Sequence, residues 1–400
     1  MNSTTIRRAL FCITIWHVTA VVVFAGFVFG QDFLAGRTHP NRLPAIEWEP
    51  FANWDGYWYT QIVEHGYFWD PTRHSSVAFF PGYLSLAVLL RSLIPISAIA
   101  ILALISNLSL LATVWSADSG EESSLCDVSN PAVTTLLALC LWPMGLFLRV
   151  AYSEAFFLLL IVTILRLLRL RASPLLVALI AGLATGTRSV GVALLLPLAW
   201  DWWQRSSSIR GFAARAIVLG SISCWGLVAY MVYQHLVFGD AFAFVQTQQH
   251  WGMRPDLPWK SKLVSLVTLE PILSIYVPGS SAYWAQHEYV RNPLFSLQFW
   301  NPIYFVTCAG LVAYGAWKKW LTTPEWLLSI GLLGIPYVMQ SYRMMMTGHG
   351  RFTCVVFPMY IVLGRLMAKW PAPVMAIVCT LMGIQLFYWS ALFAAWHRVF

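Results

Sequence analysis

The residues best suited to chemistry lie close together in one polar, aromatic-rich stretch, residues 51–81. Only 10% of the chain is charged, yet this stretch holds six ionisable side chains: Asp55, Glu64, His65, Asp70, Arg73 and His74. Trp54, Trp58 and Ile62 recur at helical spacing, which predicts a short helix with a wide apolar face lying at a membrane surface. Its first polar residue, Asp55, would then sit at the edge of the bilayer.

A carboxylate held among aromatic rings at such a surface can accept the proton of a hydroxyl nucleophile. We therefore predict that Asp55 is the catalytic base. The alternative is structural, because Asn53 or Asp55 would also serve as the N-cap of the helix. The five other ionisable groups in the same stretch favour the catalytic interpretation.

Two arginines could provide the positive charge that an anionic substrate needs. Arg188 interrupts an apolar run, and a cation in such a place is by default functional or paired, although a hinge between two half-helices is the alternative. Arg351 follows His349 and Gly350 in a loop at the predicted outer end of a membrane span, where arginine can bind phosphate oxygens bidentately. We assign Arg188, Arg351 and His349 to the phosphate of a donor.

Further polar and aromatic side chains suit a sugar or a hydroxyl-bearing acceptor. Amides bind hydroxyl groups well, although the run at 246–250 also fits a solvated helix face. Glu154 heads an apolar helix, where an acidic residue also has a purely structural explanation. The predicted sugar or acceptor ligands are Trp54, Tyr57, Glu64, His65, Glu154, Gln248 and His250.

The elements that must position these residues are membrane helices. The 400-residue chain is 58% hydrophobic, with a mean hydropathy of +0.65 and 21 tryptophans, which excludes an ordinary soluble protein. Apolar segments of about 20 residues, the length that crosses a bilayer, recur from end to end. We predict an all-α polytopic membrane protein, a single transmembrane domain over residues 1–400 with about nine to eleven spans.

Basic residues mark the ends of the predicted spans that face the cytoplasm. The net charge of +8 comes from arginine and lysine clusters beside apolar segments, and no basic tail for nucleic acid is present. The positive-inside rule places the N-terminus in the cytoplasm and the first loop, residues 31–80, outside. Residues 239–300 form a second large outer loop. Charge counting leaves the side of residues 149–154 open, and we favour the outside.

The sequence carries no signature of a metal centre or a nucleotide site. Seven cysteines are scattered without a CxxC pair, and Walker A, GxGxxG and HExxH motifs are missing. We expect no metal and no definite cofactor, although Asp55, Glu64 and Asp70 could share a divalent ion. If the protein is a transferase, its activated donor is expected to arrive through the bilayer as a lipid phosphate.

Several short motifs, in order along nearly the whole chain, carry a resemblance to one family. They are NWDGYWY from Asn53, EHGY from Glu64, AFFPGY from Ala78, YSE from Tyr152, TRSVG from Thr187, FGDAFAF from Phe238 and RFTCVVFP from Arg351. Each motif alone is weak. Together they resemble bacterial relatives of the PIG-V type mannosyltransferase, a member of the GT-C superfamily that adds the second mannose to GPI anchors.

The resemblance implies a GT-C type bundle, in a bacterial inner membrane or its equivalent, whose active site is extracytoplasmic. It implies transfer of a sugar, commonly mannose, from a polyprenyl- or dolichyl-phosphate donor to a lipid-linked or glycan acceptor, with inversion. The family's first-loop aspartate falls on Asp55, and its basic positions fall on Arg188 and Arg351. Val190 stands where the family has asparagine, and GPI synthesis itself is the least transferable property.

Two other classes of protein fit the composition. A flippase or transporter for lipid-linked sugars would also be polytopic with buried arginines, but would place polar residues at mid-membrane in both halves. A scaffolding membrane protein would not need six ionisable groups in one loop. The concentration of polar residues in the outer loops favours the transferase.

Overall fold

The structure, a computed structural model, describes residues 3–34, 49–117, 129–286 and 292–396. These residues form a helical bundle without a strand, which confirms the predicted all-α class. Much of the predicted first loop, residues 35–48, lies outside the described residues. The acidic residues at 118–127 predict that the segment 117–130 is aqueous, and most of this segment also lies outside the described residues.

The α-helices are numbered here in chain order over the described part of the chain. They are α1 (Ser3–Phe29), α2 (Asp55–His65), α3 (Pro81–Leu93), α4 (Ala98–Ala117), α5 (Pro131–Leu141), α6 (Glu154–Arg169), α7 (Pro174–Thr185), α8 (Leu195–Gln204), α9 (Ile209–Ser223), α10 (Trp225–Phe238), α11 (Ala243–Gln246), α12 (Trp259–Val267), α13 (Glu270–Leu273), α14 (Leu297–Trp317), α15 (Thr323–Gln340), α16 (His349–Phe352), α17 (Phe357–Met367) and α18 (Ala372–Ala394). Short 3₁₀ turns join several of them near the site, at Glu49–Ala52, Ser76–Ala78, Pro143–Leu148 and Ser189–Leu194.

Three helical segments are long and apolar enough to cross a membrane: Arg8–Leu34, α4 and α18. Two bent pairs pass the same test, α9 with α10 at 54° and His349–Val355 with α17 at 80°, which gives up to five spans within the described ranges. This is fewer than the nine to eleven predicted. Several apolar runs instead form proline-initiated helices of 13, 11 and 12 residues, α3, α5 and α7, which are too short to cross alone. The chain is an integral membrane protein with strongly interrupted apolar segments.

In the apolar run at 175–200, Arg188 lies in the middle among glycines, which predicts two half-helices that meet at a polar break. The structure confirms this break. Helix α7 ends at Thr185, and a 3₁₀ turn from Ser189 to Leu194 leads into α8. Arg188, the residue before this turn, has an extended backbone, with φ −150° and ψ 143°. The polar break therefore places the Arg188 side chain at the junction of two helices.

The apolar residues at 217–238 are numerous enough to predict one uninterrupted span, and this prediction is wrong. The run forms α9 and α10, which meet at Cys224 with a bend of 54°. Helix α10 packs so closely on α7 that a Cβ on Gly226 would contact the carbonyl oxygen of Gly182. Small residues permit this backbone-to-backbone approach, and the bend brings α10 against α7.

The first loop begins at the point where the packing contact between α1 and the last helix, α18, ends. A Cβ added to Gly26 or Gly30 would overlap the backbone of α18, so α1 and α18 touch through their main chains. Beyond this contact, the Nδ2 of Asn53 donates to the carbonyl oxygens of Phe393, at 2.8 Å, and Ala394, at 3.2 Å. The residues just before α2 are therefore anchored to the end of α18.

Candidate active site

A cavity of about 1210 Å³ lies between α2, the break after α7, the start of the second loop and the end of α15. Small-molecule pockets usually measure about 300–1,000 Å³, so this cavity has room for more than one small ligand. Six of the residues predicted from the sequence line it: Trp54, Asp55, Tyr57, Arg188, Gln248 and Arg351.

The direction of Asp55 is fixed by the turn that precedes α2. Trp54, at the N-cap, has φ 60° and ψ −116°, a conformation that a bulky residue rarely adopts. The hydroxyl group of Tyr152 accepts from the Asp55 backbone N–H and donates to the Asn53 carbonyl oxygen, both at 3.1 Å. A strained conformation of this kind persists only where the surroundings hold it, and it is typical of functional sites.

The guanidinium group of Arg351 joins two carboxylates. Its Nη1 donates to Asp55 Oδ2 at 2.5 Å, and its Nε donates to Glu154 Oε1. The centroid of the Tyr152 ring lies 4.5 Å from the guanidinium carbon and that of the Phe147 ring 5.2 Å. Because these contacts leave the side chain only 8% exposed, Arg351 is held in one orientation.

Arg188 binds the same oxygen of Glu154 as Arg351 does. Its Nη1 lies 2.7 Å from Glu154 Oε1 and 3.0 Å from Ser153 Oγ. The Arg188 side chain is 14% exposed and lines the cavity. Its Nη2 and Nε make no hydrogen bond to a described residue, so these two nitrogens can donate to a ligand.

Three consecutive residues, Tyr152, Ser153 and Glu154, connect the parts of this site. Tyr152 holds the start of α2, Ser153 Oγ lies 3.1 Å from the hydroxyl group of Tyr59, and Glu154 binds both arginines. Burial raises the pKa of Tyr59 to about 12, so its phenol stays protonated at neutral pH. Sequence reasoning did not include Tyr59, Tyr152 or Ser153 among the site residues, although the YSE motif was the signal that could have found two of them.

Aromatic side chains form one wall of the cavity. The rings of Trp58 and Trp251 lie 6.0 Å apart between centroids, and those of Trp54 and Trp396 lie 5.7 Å apart. The Trp251 Nε1 is buried and has no hydrogen-bond partner among the described residues, and Gln248 lines the same cavity. A wall of aromatic faces with a few polar groups suits a ligand that carries both apolar faces and hydroxyl groups.

Three of the predicted sugar or acceptor ligands belong to the first and second loops but lie away from the cavity. Glu64 and His65 are exposed in the last turn of α2, about 14 Å along the helix axis from Asp55 at 1.5 Å per residue. The Nε2 of His250 lies 3.0 Å from the carbonyl oxygen of Pro71. None of these three side chains lines the cavity.

Two further predicted ligands are buried behind the cavity wall. His349, assigned to the donor phosphate, is fully buried, and its ring centroid lies 5.6 Å from that of Phe305 and 5.5 Å from that of Phe352. Glu154, assigned to sugar or acceptor, is 1% exposed and contacts the two arginines instead. In the part of the chain that the structure covers, no three His, Cys, Asp or Glu side chains are grouped to hold a metal ion.

Comparison with known proteins gives one relative in sequence. No family model matches the chain. The GPI alpha-1,6-mannosyltransferase 2 of Cricetulus griseus is 27% identical over 319 residues, an alignment that covers 70% of this chain. The chain spans 60% of the length of that relative.

Among solved structures, the oligosaccharyltransferase of Archaeoglobus fulgidus, tethered to an acceptor peptide containing the NVT sequon, superposes with a TM-score of 0.40 and 11% identity. The superposition covers 97% of this chain and 55% of that one, and a score this low does not define a fold. The similarity to the mannosyltransferase confirms the resemblance that the motifs indicated: the chain is similar in sequence to a PIG-V type enzyme.

Proposed function

We propose that this protein is a membrane glycosyltransferase. It moves a sugar, mannose by analogy with its relative, from a polyprenyl- or dolichyl-phosphate donor to a hydroxyl group of a lipid-linked or glycan acceptor. The observation that carries the proposal is the convergence of Asp55, Arg188 and Arg351, three residues far apart in sequence, on one cavity.

In this reaction Asp55 is the general base. Its Oδ2 is held by Arg351, while no hydrogen bond from a described residue reaches Oδ1, and the side chain is 19% exposed at the cavity. The acceptor oxygen forms a bond to the anomeric carbon as its proton passes to Oδ1. The bond between that carbon and the phosphate oxygen breaks, and its electron pair leaves with the phosphate. A single displacement of this kind inverts the anomeric centre.

The leaving phosphate is the part of the donor that needs positive charge. Arg188 offers two nitrogens that are free to donate, and charge-assisted bonds from arginine to phosphate oxygens are strong. A phosphate needs no separate acid to leave. Leu332, Ile335 and Met339 of α15 line the same cavity and provide an apolar surface for the isoprenoid chain.

The acceptor is expected on the opposite side of Asp55, along the aromatic wall. Trp54, Tyr57, Trp58 and Gln248 line the cavity there. Aromatic faces can cover the apolar faces of sugar rings, and the Gln248 amide can both donate to and accept from hydroxyl groups.

The charge distribution favours an extracytoplasmic site. Helix α6 runs from Glu154 at the site to Arg166 and Arg169 at its other end, and α15 begins next to Lys318 and Lys319 and ends at the cavity. An ion pair between Arg169 and Glu325 joins the far ends of these helices. The basic ends are cytoplasmic by the positive-inside rule, which puts the site on the opposite side.

The purified protein, incubated with a panel of radiolabelled polyprenyl-phosphate sugars and a crude lipid extract, tests this proposal. One label is expected to become covalently attached to an acceptor, with the polyprenyl phosphate as the second product. In vesicles, movement of the labelled lipid between leaflets with no covalent product would contradict the proposal and favour the flippase.

A further inference from the structure

Both arginines bind the same one of the two oxygens of the buried Glu154 carboxylate. One oxygen, Oε1, accepts from both Arg351 Nε and Arg188 Nη1. The other oxygen, Oε2, is buried and has no hydrogen-bond partner among the described residues. One oxygen of Glu154 is therefore left without a hydrogen bond, while its single negative charge is in contact with two cations.

The two arginines differ in what remains for a ligand. In Arg351, Nε and Nη1 are occupied by Glu154 and Asp55, and the aromatic rings of Tyr152 and Phe147 lie against the guanidinium group. In Arg188, only Nη1 is engaged, by Glu154 and Ser153. Arg351 thus keeps only Nη2 without a hydrogen bond to a described residue, whereas Arg188 keeps both Nε and Nη2. Arg188 is the arginine with more donors left for a ligand.

We propose that Glu154 is a positioning residue that gives the two arginines different roles. By holding Arg351 against Asp55 and turning the free nitrogens of Arg188 toward the cavity, it makes Arg351 the support of the base and Arg188 the contact for the lipid phosphate. This inference rests on the proposed transferase function and assigns roles within the same site.

Charge explains why a carboxylate is needed at this position. Asp55, Glu154, Arg188 and Arg351 together carry no net charge. Without Glu154 the same site would have one excess positive charge, and both guanidinium groups would be drawn to the incoming phosphate. Arg351 would then compete for the donor and release Asp55, because a phosphate is a strong partner for arginine.

The kinetic test compares Glu154→Gln and Glu154→Asp with the wild type. For Glu154→Gln we expect kcat to fall about 100-fold, the cost of misplacing a catalytic group by about 1 Å, with no rise in the KM for the donor. Glu154→Asp keeps the charge and is expected to recover part of kcat. A raised acceptor KM with unchanged kcat would overturn the inference and make Glu154 a substrate ligand. Equal activity per folded molecule in all three proteins would also overturn it.

A binding measurement tests whether the two arginines have different roles, and it does not require sugar transfer. The probe is a polyprenyl phosphate without sugar, and its Kd is measured in detergent for the wild type, Arg188→Gln and Arg351→Gln, with Arg169→Gln as the control at the far end of α6. We expect at least a tenfold weaker Kd for Arg188→Gln and at most a twofold change for Arg351→Gln and the control. Equal losses for Arg188→Gln and Arg351→Gln would overturn the division of roles. Failure of the wild type to transfer any sugar would instead contradict the proposed function.

Discussion

Arg351 is the residue on which the geometry of the site depends most. It joins a carboxylate from the first loop to a carboxylate at the start of α6, and it is 8% exposed. A buried ion pair contributes little net stability relative to an apolar replacement of the whole network, but removal of one partner leaves an uncompensated buried charge. The network is therefore better explained by function than by stability.

This view predicts the effect of substituting Arg351 on folding. Arg351→Leu leaves two carboxylates with one arginine and is expected to lower the free energy of unfolding by about 3–5 kcal/mol. Arg351→Lys keeps the charge but not the directed pair of donors, so its loss should be smaller. Unfolding of the purified variants in mixed micelles with increasing SDS measures both values.

The matched control is Arg73, which forms an ion pair with Asp70 on the surface of the first loop, where its side chain is 69% exposed. Exposed pairs contribute about 0–1 kcal/mol, so Arg73→Leu should change the free energy of unfolding by no more than that. An Arg351→Leu protein as stable as the wild type would show that the four charged groups do not form a network in the folded protein.

At the scale of helices, the contact between α1 and α18 determines where the first loop starts. The two helices touch through their backbones at Gly26 and Gly30, and Asn53 is then anchored on the end of α18. The position of Asp55 thus depends on the packing of the first helix against the last one.

Gly26→Ala tests this dependence. The added methyl group would overlap the Phe387 carbonyl oxygen, and such overpacking typically costs about 1–3 kcal/mol. We expect a lower free energy of unfolding and a reduced rate of sugar transfer. Gly310→Ala in α14 is the control, because a Cβ there meets nothing within 4 Å. That variant should be as stable as the wild type or more stable by up to about 1 kcal/mol. Equal losses of stability in Gly26→Ala and Gly310→Ala would contradict the role of the contact between α1 and α18.

From the sequence, the presence of a helix could be predicted better than whether that helix is continuous or bent. The apolar runs at 299–317 and 326–340 each predict one helix, and they correspond to α14 and α15 within a few residues. Polar ends bound both runs, and a proline begins α15. The bend at Cys224 was not predictable, because no proline marks it within α9 or α10. The bend accompanies the close approach of Gly226 to α7, which is a tertiary contact that a single sequence does not display.

For the whole molecule, the chain brings its first loop, a helix break in its middle and a short helix near its end into one cavity. The ion pair between Asp55 and Arg351 joins residues 296 positions apart. Residue type and placement in the sequence were enough to predict Asp55, Arg188 and Arg351, because charged side chains are rare in so apolar a chain.

The same reasoning could not distinguish these cavity-lining residues from nearby ionisable residues that do not line the cavity. Glu64 and His65 share a helix with Asp55 but lie nine and ten residues further along it, and neither lines the cavity. At about 100° per residue, Glu64 is also on the opposite face of α2. His349 lies two residues before Arg351 but is packed among aromatic rings. Which side chain of a polar loop faces a cavity depends on tertiary packing, which a single sequence does not display.

The most direct measurement of the central claim is single-turnover sugar transfer by Asp55→Asn with the donor already bound. Asparagine can still accept a hydrogen bond from Arg351 but cannot take the acceptor proton, so transfer should slow by about 10²–10⁴-fold. Because the substitution removes a negative charge beside the arginines, the donor should bind at least as tightly as it does to the wild type. Asp70→Asn, a substitution of a partly exposed first-loop side chain outside the cavity, should transfer at the wild-type rate. Transfer by Asp55→Asn at the wild-type rate would contradict the account.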